Sequence, residues 1–432
     1  MKTCKLGIIG LGTVGGGTLQ LLQQKAKYFQ TQYGLDLQIK AVAAKSPQEW
    51  SGFNLDNITC TTQPLSLCQD PNLDLIVELA GGYEAPRLWI QTALENGKHV
   101  VTANKALLAK YGHELFPLAS KNKKILAFEA SVGGGIPIIK SLQVSLAANQ
   151  IQKLACIING TCNYILTEMS QKGLDFAPTL KNAQELGYAE ANPSFDIDGI
   201  DSAHKVAILA SLCSKKWLSF ENMGIEGITK INMTDVAMAK ELGYAIKLLG
   251  VTQPTDQGVA AHVYPALIPL NHPLSQIHGV LNAVFVNASE VGPMLFTGAG
   301  AGRKATASAV VADILGVSQF IDQDPPKMFD MGFYNQNNPA EQIPLDNLEM
   351  EFYLRLSVQD IPGVLAKITA ELANANISIS ALHQKTADSL GNASIIIITH
   401  KTSNKNVLNA LKAIDQQNFI VEPTQLLRFF EP

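Results

Sequence analysis

The stretch KLGIIGLGTVGGGTL, residues 5–19, decides the fold of the N-terminal part of this 432-residue chain. Its apolar run ends in glycines, and a helical pattern then extends from Thr18 to Lys27. Further apolar runs of strand length lie at residues 35–44, 74–82, 98–103 and 124–130, with a helical pattern over 86–96. Strands that alternate with helices predict an α/β fold, with a parallel sheet through about residue 130.

The glycines of this stretch follow the spacing of a dinucleotide-binding turn. Gly10, Gly12 and Gly15 come directly after a predicted strand and open a helix, which is the context that the pattern requires. Glycines let the backbone approach a pyrophosphate, and the helix N-terminus stabilises its charge. We therefore predict a Rossmann-type domain that binds a dinucleotide through Gly10, Leu11, Gly12, Thr13, Val14 and Gly15.

The end of the second strand bears on the type of cofactor. An acid there usually binds the ribose 2′-hydroxyl of NAD. Asp36 stands at the beginning of this strand, at the wrong edge of the sheet, whereas the strand ends at Ala44, followed by Lys45. Lys45 could pair with a 2′-phosphate, so NADP(H) is favoured and NAD(H) stays open. The alternative is that Lys45 is a solvated loop lysine.

The composition excludes several classes of protein. Hydrophobic residues make up 47% of the chain and the net charge is −4, without basic runs, which argues against nucleic acid as a partner. The sequence has no run of about 18 apolar residues, so it predicts no membrane helix. Six cysteines without CxxC spacing predict free thiols. The glycines at 10–17 do not suit a signal peptide, so we expect a cytoplasmic protein.

Ionisable residues cluster at two places beyond the glycine turn. Thr102 and Lys105 follow a strand, at the edge where parallel sheets bind ligands. The segment EANPSFDIDGIDSAHK runs from Glu190 to Lys205 and includes Asp196 and Asp201. Asp201 and Lys205 are four residues apart on a predicted helix and share a face. They form either a surface ion pair or, with the neighbouring acids, a site for substrate and proton transfer.

The segment EASVGGGIP, from Glu129 to Pro137, allows an unusual backbone path with exposed carbonyl groups. It is either a strand-to-helix turn or a site for a hard monovalent cation. No metal-binding spacing of histidines is present, and His204 is interpreted as a surface or packing residue. Between residues 131 and 302 we predict a mixed α/β arrangement. Its helices are expected around 163–171, 178–187, 199–213 and 234–249, and its strands at 153–160, 259–268 and 282–288.

The C-terminal part has a separate organisation. The polar residues 331–347 predict a linker. Beyond it the order βαββαβ predicts a ferredoxin-like domain, with strands at 350–358, 377–385, 392–400 and 418–428 and helices at 363–375 and 404–414.

Together these motifs resemble bacterial homoserine dehydrogenases of the monofunctional type. The resemblance runs over essentially the whole chain through GLGTVG, VELAGG, TANKALLA, FEASVGGGIP, INGTCNYIL, ELGYAEANPSFDIDGIDSAHK and GAGAGRKATASAVVAD. The tail resembles an ACT regulatory domain through DIPGVL, residues 360–365. The resemblance implies reversible reduction of L-aspartate 4-semialdehyde to L-homoserine with NAD(P)H, in threonine, methionine and isoleucine biosynthesis.

The resemblance also implies roles for individual residues. Lys105 and Lys205 would be catalytic, with Lys205 as the proton donor. Glu190, Asp196 and Asp201 would bind the substrate, and Gly187 and Gly302 would contact the cofactor together with Thr102 and Lys105. A sodium site would involve Glu129, Val132, Gly134 and Ile136, mostly through carbonyl groups. Relatives often carry an arginine after the second strand, where this chain has Ala44.

The expected domains are a Rossmann domain (1–130, with 303–325 packing back on it), a substrate-binding and dimerisation domain (131–302) and an ACT domain (348–432). Asp360 and Gly363 would form an effector site, most simply for threonine. Alternatively, Asp360 only caps a helix and the domain serves as a dimerisation module. A homodimer or homotetramer is expected. Two rival functions remain, namely another Rossmann-fold amino-acid oxidoreductase and a non-enzymatic sensor of NADP or amino acids.

Overall fold

The structure is a computed structural model that describes residues 1–327, 340–384 and 391–431. Its N-terminal part is a parallel sheet with the strand order β3-β2-β1-β4-β5-β6. The strands are β1 (Lys2–Ile9), β2 (Leu35–Ala43), β3 (Thr59–Thr61), β4 (Leu75–Glu78), β5 (His99–Thr102) and β6 (Leu126–Ala127). This order reverses between β1 and β4, which is where a Rossmann-type sheet opens a crevice for ligands. The predicted fold of this part is thus confirmed.

Helices cover both faces of the parallel sheet. The first five are α1 (Thr13–Gln24), α2 (Ala26–Tyr33), α3 (Pro64–Gln69), α4 (Glu84–Glu95) and α5 (Lys105–Lys121). Helix α1 begins five residues earlier than the pattern from Thr18 indicated. The glycines that occupy its first turn hide its apolar periodicity.

A second, antiparallel sheet follows, with β7 (Ile151–Ile157), β8 (Tyr244–Thr255), β9 (Gly258–Pro269), β10 (Leu281–Ala288) and β11 (Gly292–Ala299). Its helices are α6 (Ile138–Lys140), α7 (Gly160–Lys172), α8 (Phe176–Glu185), α9 (Ser194–Ile197), α10 (Ile200–Ser214) and α11 (Met233–Glu241). Helix α12 (Arg303–Ser318) then returns to the first sheet and packs on α1, where a Cβ atom on Gly17 would lie 3.3 Å from the Cβ of Ala307.

The predicted helix over 234–249 is wrong in its second half. Helix α11 ends at Glu241, and Gly243 adopts a φ of +84°, after which the chain enters β8 at Tyr244. Residues 246–250 of β8 are buried, so that this part of the strand is covered on both faces. A strand of this kind lacks the alternation of polar and apolar residues, and its apolar run is easily read as helical.

The C-terminal part has the predicted βαββαβ order. Its strands are β13 (Glu349–Met350), β14 (Phe352–Gln359), β15 (Ile379–Gln384), β16 (Asn392–Thr399), β17 (Thr402–Ser403) and β18 (Ile420–Phe429), with helices α13 (Val364–Asn374) and α14 (Asn404–Ile414). Of the predicted linker, residues 331–339 lie outside the described residues. Residues 340–347 lie against the second sheet, where β12 (Gln342–Ile343) pairs with β9.

The second sheet and the C-terminal sheet are joined edge to edge. Strand β18 runs parallel to β9, with Arg428 opposite Ala266 and Phe429 opposite Leu267. One buried core contains residues from both sheets, among them Leu249, Phe352 and Leu354. Among the helices that the structure describes, none has the length and apolarity needed to span a membrane.

Candidate active site

The glycine turn after β1 has an open cradle at the start of α1. Gly10 has a φ of +91°, and a Cβ atom on Gly15 would lie 1.9 Å from the carbonyl oxygen of Gly10, so both positions require glycine. A Cβ atom on Gly12 would meet nothing within 4 Å, and no side chain caps the helix there. The exposed N–H groups at this helix start fit the pyrophosphate of a dinucleotide.

The end of β2 has the arrangement that its sequence suggested. Ala44 is buried and donates its N–H to the carbonyl of Thr61 at 3.1 Å, while Lys45 is exposed. Asp36 lies at the opposite end of the strand, where the side-chain amides of Gln30 and Gln38 donate to its carboxylate. Asp36 is therefore far along the strand from the dinucleotide edge.

The loop after β4 is held by a carboxylate to which the sequence analysis gave no role. Glu78 is fully buried and accepts hydrogen bonds from the hydroxyl of Thr102 (2.6 Å) and the N–H groups of Ala80 (2.9 Å) and Gly81 (3.2 Å). Burial raises the pKa of Glu78. Thr102 is thus a support for the loop beside the crevice.

Asn104 fixes the start of α5. Its side-chain oxygen accepts from the N–H of Leu107 at 3.2 Å, and its amide donates to the carbonyl of Gly82 at 2.8 Å. This cap places Lys105 at the first residue of the helix, above the carboxyl ends of β4 and β5.

Asp201 lies between the two lysines that the sequence singled out. Its carboxylate is 2.6 Å from Nζ of Lys205 and 3.2 Å from Nζ of Lys105. Burial alone would raise the pKa of Asp201, but the two ammonium groups outweigh it and hold that pKa well below its usual range. Lys205 also donates to the carbonyl of Ile158 at 2.8 Å. The pair is therefore a buried cluster, and the surface-pair alternative does not apply.

Asn159 connects the cluster to a second acid. Its amide donates to Asp201 at 2.9 Å and to Asp196 at 2.8 Å, while its oxygen caps α7 by accepting from the N–H of Cys162. Burial raises the pKa of Asp196. The sequence analysis assigned no role to Asn159. Its only signal is an asparagine at a strand-to-helix junction, which is typical of a helix cap.

The structure brings Lys105, Lys205, Asp196 and Asp201 together, but not every predicted residue joins them. Glu190 is exposed on the segment between α8 and α9, where its backbone carbonyl accepts from the side chain of Gln184. Gly187 on the same segment has a φ of +74°, and Gly302 precedes α12 with a φ of +111°. A Cβ atom on either glycine would meet nothing within 4 Å.

His204 is a packing residue. Its ring lies 4.4 Å from the ring of Phe220 and 5.5 Å from that of Phe195, measured between centroids. The side chain is 2% exposed, and its Nδ1 has no hydrogen-bond partner. Burial lowers the pKa of His204 to about 4.

The segment from Glu129 to Ile136 follows β6 and is buried except at Gly135. The Glu129 carboxylate accepts from the N–H groups of Ile139 (2.8 Å) and Lys140 (2.9 Å), and burial raises its pKa to about 7. Gly134 has a φ of +56°, and a Cβ atom there would lie 2.5 Å from the backbone of Gly300. These two N–H groups fix the direction of the Glu129 carboxylate.

The turn before α13 is open at the helix start. Gly363 has a φ of +90°, and no side chain caps the helix. Asp360 is exposed, and its N–H donates to the carbonyl of Gly391 at 2.9 Å. Asp360 therefore does not act as the cap of this helix.

The Rossmann sheet, the glycine cradle and the lysine–carboxylate cluster define an NAD(P)-dependent oxidoreductase with a C-terminal regulatory-type domain. Comparisons agree: residues 10–129 match the family model "Homoserine dehydrogenase, NAD binding domain", residues 137–315 match "Homoserine dehydrogenase" and residues 352–418 match "ACT domain". The homoserine dehydrogenase of Neisseria gonorrhoeae is 44% identical over 430 residues, which is 99% of each chain. The chain belongs to the homoserine dehydrogenase family.

Solved structures give the same result. A homoserine dehydrogenase from Thiobacillus denitrificans is 42% identical, with a TM-score of 0.92 over 100% of this chain and 99% of that one. A hyperthermophilic archaeal homoserine dehydrogenase in complex with NADPH is 26% identical, with a TM-score of 0.64 over 73% of this chain and 98% of that one.

Proposed function

We propose that the chain interconverts L-aspartate 4-semialdehyde and L-homoserine, with Lys205 as the proton donor to the substrate oxygen. The observation that carries this proposal is the Asp201 carboxylate, which lies between Lys105 and Lys205. When bound, the nicotinamide cofactor supplies the hydride. The substrate oxygen that becomes negative then needs a positioned acid.

Lys205 has the hydrogen-bonding capacity for this role. An ammonium group has three N–H donors, of which Asp201 takes one and the carbonyl of Ile158 takes another. One N–H remains for the substrate. Because both acceptors are fixed by the fold, the free N–H is held in one direction, which favours proton transfer to a single position.

The other charges suit an amino-acid substrate. The side chain of Lys105 is 33% exposed and can pair with the substrate carboxylate. Asp196 is half-buried and can receive the substrate ammonium group. Glu190, which lies outside the cluster, is proposed as a second carboxylate for that group. Arrival of that cation favours the charged form of Asp196, which burial otherwise disfavours.

Initial rates separate the rival functions. The parent protein is expected to oxidise L-homoserine with NADP and to reduce the semialdehyde with NADPH, followed by absorbance of the reduced nicotinamide. Another amino-acid oxidoreductase would turn over a different substrate. A sensor would bind NADPH without turnover, and either result would contradict the proposal.

For the cofactor we propose a preference for NADPH over NADH. The exposed Lys45 after a strand end without an acid supports it, as does the similar archaeal complex with NADPH. Arg303, to which the sequence analysis gave no role, is a further cation beside α1, where its Nη2 donates to the side chain of Gln20 at 3.2 Å. Its Nη2 lies 3.2 Å from the position that a Cβ atom on Gly16 would take. Better use of NADH by the parent protein would contradict the preference.

We also propose a sodium ion bound by carbonyl groups of Glu129, Val132, Gly134 and Ile136. The glycines at 133 and 134, both with positive φ, give this loop the curvature that a ring of carbonyls needs. The thermal midpoint should rise when choline chloride is replaced by sodium chloride at constant ionic strength. Equal midpoints in both salts would contradict the site.

Threonine is the proposed effector, bound near Asp360 and Gly363 in the ACT domain. The uncapped start of α13 can receive its carboxylate, and the exposed Asp360 can take its ammonium group. Millimolar threonine should lower the rate and shift the thermal midpoint. No change in either would exclude threonine.

Finally, we propose a cytoplasmic homo-oligomer that serves threonine, methionine and isoleucine biosynthesis. The free state of all six cysteines is consistent with a reducing compartment. The apolar strands β9 and β10 are buried within the chain itself, so the open edge of β11 is the better support for a partner subunit. Sedimentation of a 46.5 kDa species at micromolar concentration would contradict the oligomer. Auxotrophy of a deletion strain tests the pathway.

A further inference from the structure

The C-terminal domain contributes a fully buried arginine to the substrate-binding domain. Arg428 on β18 is 0% exposed and binds both carboxylate oxygens of Glu226, at 2.7 and 2.6 Å. Its guanidinium also donates to the side chain of Asn404 and lies 5.0 Å from the centre of the Tyr264 ring. Four hydrogen bonds thus fix the guanidinium, which holds the Glu226 carboxylate in one position.

The backbone around Glu226 is in turn tied to the substrate-binding domain. Its N–H donates to the carbonyl of Val263 on β9 at 2.8 Å, and the N–H of Val263 donates to the carbonyl of Gly224 at 2.9 Å. Glu226 therefore lies directly against β9, the strand that also pairs with β18. The Arg428–Glu226 pair and the pairing of β9 with β18 therefore join the two domains at the same place.

The next residues contact the turn that bears the substrate carboxylates. The N–H of Ile228 donates to the carbonyl of Ile197 at 2.9 Å. A Cβ atom on Gly227 would lie 2.1 Å from that carbonyl oxygen, and one on Gly199 would lie 3.3 Å from the carbonyl oxygen of Glu226. The segment 226–228 therefore packs against 197–199, between Asp196 on α9 and Asp201 on α10.

We propose that Glu226 is a positioning residue for the substrate site, and that Arg428 of the C-terminal domain holds it in place. Loss of the pair frees the segment 226–228, which loosens the turn 197–199 and misplaces Asp196 relative to Asp201. The C-terminal domain thereby sets substrate affinity directly. The cofactor cradle at Gly10–Gly15 lies on other elements and is unaffected. In naming homoserine as the substrate, the inference rests on the proposed function.

The test compares Glu226→Gln with Asp235→Asn in the full-length protein. Asp235 on α11 takes part in another pair between these domains, with Arg355 at 2.7 Å and the hydroxyl of Tyr353 at 3.0 Å. Asp235 does not contact the turn 197–199 in the described contacts. Both variants remove one carboxylate charge from an interdomain pair, so a general loosening of the domains affects both.

Glu226→Gln is expected to raise KM for homoserine about tenfold, with kcat within about threefold and the Kd for NADPH within about twofold of the parent. Asp235→Asn should leave KM within about twofold of the parent. Glu226→Asp, which keeps the charge, should give an intermediate KM. An unchanged KM in folded Glu226→Gln would overturn the proposal, as would an equal rise in both variants.

Hydrogen exchange gives a readout that does not depend on the substrate. The amides of residues 196–199 should exchange about tenfold faster in Glu226→Gln and at the parent rate in Asp235→Asn. If Glu226→Gln does not fold, Arg428→Lys takes its place, and the same two measurements apply. Unchanged exchange in this segment would overturn the proposal. An absence of homoserine turnover in the parent would instead contradict the proposed function and leave the exchange result valid.

Discussion

At the scale of single residues, Asp201 shows what the sequence could and could not predict. The i,i+4 spacing placed Lys205 beside Asp201, and this follows from helix geometry alone. The contact with Lys105 joins residues 96 positions apart, and the link through Asn159 to Asp196 depends on how α7, α9 and α10 meet. Local periodicity carries no information about such contacts, so Asn159 and Glu78 were missed.

Replacement of Lys205 by alanine should lower kcat by roughly 10²–10⁴-fold, which is the usual effect of losing a positioned general acid. The Kd for NADPH should stay within about twofold of the parent, because the cofactor cradle lies on α1. Lys181→Ala is the matched control, since Lys181 is an exposed helix lysine with an acid four residues later. A kcat for Lys205→Ala within about threefold of the parent would disprove the role.

His204 should make stability depend on pH. Its pKa of about 4 in the folded state lies below the value of about 6.5 in an unfolded chain, so the unfolded state binds more protons between these values. Stability contributed by the neutral ring is therefore lost as the pH falls from about 6.5 to 4, by about 2 kcal/mol at pH 5.

His204→Phe removes this titration and keeps a ring between Phe195 and Phe220. The free energy of unfolding of variant and parent can be measured with urea at both pH values. The variant minus parent difference should be about 2 kcal/mol larger at pH 5 than at pH 8. The same difference between the two proteins at both pH values would rule out His204 as the source.

At the scale of elements, the sequence patterns predicted helices and strands correctly where an element has one apolar face or is marked by glycines. The parallel strands, the glycine turn and the βαββαβ order of the tail follow from such patterns. Strand β8 was misread because its residues 246–250 are buried on both faces, and β11 was missed because it is a half-exposed edge strand. Burial on both faces is a property of the assembled sheet, which a single segment does not encode.

The end of β2 offers a test of cofactor preference. Lys45→Gln should weaken NADPH binding roughly two- to fivefold, as expected for an exposed charge pair, and leave NADH binding unchanged. Lys40→Gln on the same strand is the control, because Lys40 is also exposed but precedes the dinucleotide edge. Binding can be followed by nicotinamide fluorescence. An equal loss for NADPH and NADH would show that Lys45 does not contact the 2′-phosphate.

At the scale of the whole molecule, the C-terminal domain is not structurally independent. It shares a core and a sheet with the substrate-binding domain, and Arg355 and Arg428 bind acids of that domain. Deletion of residues 348–432 would leave the buried Asp235 without a cation, which is strongly destabilising. Point substitutions therefore test the effector site better than truncation.

Asp360→Asn in the full-length protein should abolish the shift of the thermal midpoint that threonine causes, because the ligand ammonium loses its carboxylate. Activity without threonine should stay at the parent level, since Asp360 is exposed and has no contact with the lysine cluster among the described contacts. Glu422→Gln, which changes an exposed acid on β18, is the control. A retained shift in Asp360→Asn would place the effector elsewhere.

The hydrogen bonds between β9 and β18 also restrict how an effector bound to the C-terminal domain can affect the substrate site. A regulatory domain on a flexible tether transmits its state by swinging about a hinge. In this protein a hinge rotation would separate β18 from β9 within a continuous sheet and leave their backbone groups without hydrogen bonds. A conformational change that keeps this pairing is therefore a change in the twist of the sheet, distributed over several neighbouring strands.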